Sequence, residues 1–144
     1  MRSRAFDELR VRQGKAYSPQ AVEDFSLILP GYGTMGMWVA VKPEDVASAF
    51  ATMDNIAADL MTHEVSSDEF QRAITPTIEF ATHARDTNGY WMAVLSEAYT
   101  DPRRLQLSES TISLLKSLTP ADIHAAAQRL LVKERSMRME VMPR

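Results

Sequence analysis

The chain has 144 residues, 45% of them hydrophobic and 24% charged, with a net charge of −3 and no cysteine. This length suits one domain (residues 1–144), and the composition is too apolar for a disordered chain. The mild acidity argues against a general binder of nucleic acid or anionic membrane, and the lack of cysteine excludes disulfide frameworks, Cys-ligated zinc and thiol catalysis.

Phe6, Leu9 and Gln13 fall at helical spacing ahead of Gly14, a natural helix stop. The opening in mid-helix, with no leading strand or cap, points to a piece of a longer domain. Ala16-Tyr17-Ser18 and Ala21 to Phe25 read as extended, interrupted by Ser18-Pro19. Pro30-Gly31-Tyr32-Gly33 reads as a turn. The clearest strand runs from Thr34 to Val41, with Met35, Met37, Val39 and Val41 on one face and Gly36, Trp38 and Ala40 on the other. Both faces are apolar or small, so a strand covered on both sides is expected.

Lys42-Pro43-Glu44-Asp45 opens a helix whose buried stripe is expected at Val46, Phe50, Met53, Ala57, Leu60 and Met61. Ser66-Ser67-Asp68-Glu69 is a capping box for the next helix, which Pro76 is expected to kink or divide. Asn88-Gly89 breaks the pattern before a helix from Tyr90, and Thr119-Pro120-Ala121-Asp122 starts another. Arg135 to Met142 alternates, placing Met137, Met139 and Val141 on one side of a final strand. Strands and helices are segregated, so the fold class is α+β, with helices layered on a mainly antiparallel sheet.

Self-contained chemistry is missing from this pattern. His63-Glu64 would need a second histidine four residues after His63 for a zinc site, and Ser67 stands there. His83 and His124 fare no better, meeting Thr87 and Gln128 at that spacing. Gly31-x-Gly33-x-x-Gly36 has dinucleotide-loop spacing but precedes a strand instead of linking a strand to a helix. No serine sits in a nucleophile elbow. No catalytic residue, metal ligand or cofactor is therefore assigned to this chain. There is no 18-residue apolar run to span a membrane and no apolar signal-peptide region after Met1.

One constellation is specific. Leu9-Arg10-Val11-Arg12-Gln13-Gly14-Lys15-Ala16-Tyr17-Ser18 places an arginine seven residues ahead of a tyrosine, with a glycine between. Arg10 on the last helical turn and Tyr17 on the first strand can converge across the corner. Together they offer a guanidinium fork and a phenol, suited to a peptide carbonyl or a developing oxyanion. From the residues alone the plainer reading is favoured, with Arg10 capping the helix C-terminus and Tyr17 an edge-strand residue.

This segment resembles the Leu-Arg-x-x-x-Gly-x-Ala-Tyr-Ser motif in the C-terminal halves of pitrilysin/insulinase-type zinc metallopeptidases and the related processing peptidases. The resemblance runs almost the full chain. It takes in Lys42-Pro43-Glu44, Ser67-Asp68-Glu69-Phe70-Gln71-Arg72-Ala73, and Asn88-Gly89-Tyr90-Trp91 with Leu95. Leu118 to Ile123 and Arg138 to Pro143 complete it. Asn-x-Tyr-Trp is similar to the periplasmic bacterial branch, which implies a periplasmic parent, although these residues carry no export signal. The resemblance implies a truncated metallopeptidase half-domain of the processing-peptidase type, lacking its opening strands and first helix. Zinc would sit in the N-terminal partner lobe and not here. This lobe would wall a chamber for an extended peptide and contribute substrate-binding Arg10 and Tyr17. Two residues depart from the family pattern: Val11 stands where an acid is usual, and Lys15 where Leu is frequent. An incomplete sheet would leave an edge open to another chain, including a second copy. The alternative is a structural or assembly module of the same fold with no peptidase role.

Overall fold

The computed structural model describes residues 1–26, 29 and 31–142. Helix α1 (Arg2–Ala5) runs directly into a π-helix (Phe6–Arg12). Strands β1 (Gln20–Phe25) and β2 (Gly33–Trp38) follow, then a 3-10 turn (Pro43–Asp45) and helices α2 (Val46–Thr62), α3 (Ser67–Ala84) and α4 (Asn88–Thr100). Helices α5 (Arg103–Ser117) and α6 (Pro120–Leu130) and a 3-10 turn (Lys133–Arg135) complete the order. The class is α+β with an antiparallel sheet. The chain forms two compact units, residues 1–64 with 124–144, and residues 65–123.

In the first unit, β1 and β2 pair antiparallel from Gln20↔Trp38 to Phe25↔Gly33. The ladder stops at Trp38, short of the expected Val41. Continuing the register would set Val39 opposite Pro19, which has no N–H to donate. The extended segment expected at Ala16 to Ser18 likewise lies outside the sheet, so Tyr17 is not a strand residue. Nor is β2 covered on both faces: Met35 and Trp38 are exposed in the two-stranded sheet. Of the expected turn, Pro30 lies outside the described residues, while Gly31 adopts φ +78°.

Pro43 occupies the first position of the turn leading into α2, as its missing N–H favours. The residues of α2 that become buried are Ala49, Thr52, Ile56 and Leu60, a line of i+3 and i+4 steps. The expected stripe shares only Leu60 with it. Val46, Phe50 and Met53 lie beside that line, half-buried, and line an apolar groove with Met37 to Val41 and Met139 to Met142. The expected final strand is absent among the described residues. Met137, Met139 and Val141 are exposed, and alternation makes a strand only where a neighbouring strand offers hydrogen bonds. Arg138 pairs instead with Asp54 and lies 5.6 Å from the centre of the Phe50 ring.

In the second unit, Ser66 caps α3 by accepting the Glu69 N–H at 3.1 Å. Pro76 does not divide this helix, which continues to Ala84. The expected break at Asn88-Gly89 falls slightly earlier. Thr87 is the N-cap of α4, accepting from the Tyr90 N–H at 3.3 Å, and Asn88 and Gly89 are its first helical residues. A separate α5 begins after Asp101-Pro102, where the sequence pattern gave no second start. Phe70 and Ser108 are buried in this unit, and Tyr90 Oη and Ser108 Oγ share a 2.7 Å hydrogen bond. No helix among the described residues is long and apolar enough to cross a membrane.

Candidate functional site

The corner between the first helix and β1 is built from the backbone outward. The π-helical stretch closes with Gln13 N–H donating to Glu8 O at 3.0 Å, a five-residue step that widens the last turn. Gly14 then takes φ +64°, the left-handed conformation that ends the helix. Past it, Lys15 N–H and Ala16 N–H both donate to the Leu9 carbonyl, at 2.9 and 3.2 Å. The chain has doubled back, and residue 16 is fixed beside residue 9. This brings Tyr17 within side-chain reach of Arg10.

The side chains follow the backbone. The Arg10 guanidinium carbon lies 4.7 Å from the centre of the Tyr17 ring and 4.8 Å from that of Phe6. Both distances are within cation–π range. Tyr17 is 80% exposed and Arg10 is exposed too. Among the described residues no carboxylate pairs with Arg10, and neither its N–H groups nor the Tyr17 hydroxyl engages in a hydrogen bond. The two residues that the sequence pairs do converge, although through the helix-end reversal and not through a strand.

The support beneath them is anchored to α2. Buried Leu9 and Ala5 face the core of the first unit, with Ala16 and Pro19 buried beside the reversal. Gln13 Nε2 donates to Thr52 Oγ1 at 3.1 Å, and Lys15 Nζ donates to Ser48 Oγ at 2.8 Å while lying 3.4 Å from Asp45. Lys15, where the resembled family often has Leu, thus acts as a polar tether. Arg4 reaches Asp59 at 2.5 Å, and His63 Nδ1 donates to the same carboxylate at 2.9 Å. Burial works to raise the Asp59 carboxyl, but the hydrogen bonds from His63 and Arg4, with their charge, outweigh it and hold it below its usual range.

A cleft of about 500 Å³ separates the first helix from α2, lined by Arg4, Glu8, Arg12, Gln13 and Asp59 among others. Its charges answer one another, Arg12 pairing with Glu8 at 3.0 Å and Arg4 with Asp59. No group of His, Asp or Glu residues among those described could hold a metal ion. His63 and His83 are exposed, while half-buried His124 places Nε2 3.0 Å from the Met61 carbonyl. The sequence reading missed the contact of Phe6 with Arg10, although their four-residue helical spacing was a usable signal.

The α+β fold agrees with the comparison to protein families. The family described as "Peptidase M16 inactive domain" matches residues 1–76, more than half of the chain, and the chain belongs to that family. It is an inactive domain of the pitrilysin-type peptidases, a class in which such a domain pairs with an N-terminal catalytic half. No curated protein and no solved structure matches the chain significantly.

Proposed function

We propose that this domain is the non-catalytic lobe of a zinc metalloendopeptidase, walling the substrate chamber and presenting Arg10 and Tyr17 to an extended peptide at a zinc site on the other lobe. The observation that carries this reading is an exposed arginine held against a tyrosine ring with every guanidinium donor unpaired among the described residues. Other surface arginines among the described residues answer a carboxylate, as Arg12, Arg72 and Arg103 do. An arginine kept free and oriented suits an oxygen acceptor brought by another molecule.

On this reading the Arg10 fork and the Tyr17 hydroxyl donate to a substrate carbonyl oxygen as it gains charge. The chemistry of bond cleavage belongs to the zinc-bearing lobe. Arg10→Ala or Tyr17→Phe in the assembled peptidase is expected to lower kcat/KM by about 100- to 1000-fold, the effect of losing one transition-state donor. Both side chains are exposed, so the thermal midpoint is expected to stay nearly unchanged. Unchanged kinetics would remove the substrate role and leave an assembly module of the same fold. The isolated chain is expected to hold no stoichiometric zinc and to cleave no peptide. Zinc retained 1:1 after dialysis against a weak chelator would count against the division of labour. The unpaired edges of the β1–β2 sheet are proposed as the surface through which another strand, from a second copy or the partner lobe, is added.

A further inference from the structure

We infer that Phe6 is a positioning residue for Arg10: its ring and that of Tyr17 together hold the guanidinium flat, so that its in-plane N–H groups face an oxygen acceptor of the substrate. The inference rests on the substrate role proposed for Arg10 and adds a third member to that site. Phe6 stands one helical turn before Arg10, and helical side chains lean toward the N-terminus, over the residue four positions back. The 4.8 Å approach of the Arg10 guanidinium carbon to the Phe6 ring centre matches that geometry.

Core packing accounts for Phe6 only in part. The buried face of this helix is Ala5 and Leu9, both fully enclosed, whereas Phe6 is 37% exposed. The Phe6 ring thus lies at the margin of the packed face, with the arginine beside it. Tyr17 supplies an anchor on the returning chain and Phe6 one on the helix itself. An arginine on a flexible stem would otherwise sample many rotamers. Contact with two rings restricts them, and a guanidinium stacked by its face would keep its edge donors for a planar acceptor such as a peptide carbonyl or a carboxylate.

Nitrogen-15 NMR of the arginine Nε–H groups tests this in the chain itself, with Arg10→Lys identifying the Arg10 signal. That signal is expected to show a ring-current shift, to move toward the position of a free arginine in Phe6→Leu, and to stay in place in Phe6→Tyr. An unchanged backbone amide spectrum establishes that Phe6→Leu folds. In the assembled peptidase, Phe6→Leu is expected to lower kcat/KM by about two- to fivefold, the loss of one exposed cation–π contact. Phe6→Tyr restores it, and Phe6→Leu has no further effect on top of Arg10→Ala. An Arg10 signal unmoved by Phe6→Leu, or an equal loss in the Arg10→Ala background, overturns the inference. Should Arg10→Ala itself leave kcat/KM unchanged, the substrate role falls, and with it the positioning function, while the NMR result still decides whether Phe6 orients Arg10.

Discussion

Asp59 shows how single residues hold the corner in place. Its carboxylate receives Arg4 from the first helix and His63 from the end of α2, and these interactions hold it below the usual carboxylate range despite the opposing effect of burial. A carboxyl depressed in the folded state stabilises the fold above its unfolded value, about 3.9, and that contribution is lost as pH falls through the folded value. Asp59 is half exposed, so solvent screening limits the contribution to about 1 kcal/mol or less. Asp59→Asn is therefore expected to lower stability slightly at neutral pH, and thermal unfolding followed from pH 7 into the acid range should show its gap to the parent closing below about pH 4. A gap of constant size would mean that the Asp59 charge is not what ties the first helix to α2.

At the level of elements, the local signals in the sequence proved more informative than the long-range ones. Helix starts were legible because a cap is a contact between neighbours. Thr119 N–H and Oγ1 donate to the Asp122 carboxylate at 2.8 and 2.6 Å, and the Asp122 N–H returns to Thr119 Oγ1 at 3.3 Å. The Thr119 hydroxyl and backbone bonds hold Asp122 below its usual carboxylate value. Gly14 was legible as a stop for the same reason, since its left-handed φ is a local requirement. The buried line of α2 and the end of β2 were not. They depend on which element faces α2 and on the identity of the residue opposite Val39. The glycines allow a direct comparison, because a Cβ at either Gly14 or Gly89 meets nothing within 4 Å. Gly14→Ala is expected to cost about 1–2 kcal/mol from backbone conformation alone, whereas Gly89→Ala, inside α4, is expected to be neutral or to stabilise by up to about 1 kcal/mol. Urea unfolding of both variants checks the sign. Equal effects would show that the corner does not require a left-handed residue.

For the whole molecule, the Arg10–Tyr17 pair was found from the sequence because its motif is compact, seven residues apart around one glycine, and needs only the reversal at Leu9 to form. The sheet was read less well because strands are completed by partners. Two strands alone are marginal in water, and here they expose Val22, Phe25, Met35 and Trp38. The register places Val22 and Trp38 on one face and Phe25 and Met35 on the other, so neither face of the sheet is closed. An open two-stranded sheet with apolar residues on both faces is a template for strand addition. The isolated chain is accordingly expected to self-associate as its concentration rises, with sedimentation velocity reporting an increasing weight-average coefficient. Introducing a charge on each face, as in Val22→Lys with Met35→Lys, is expected to return it to a concentration-independent species, because a buried lysine at a strand contact loses its hydration. Self-association that survives both substitutions would place the contact elsewhere, with the apolar groove between α2 and Met139 to Met142 as the next surface to charge.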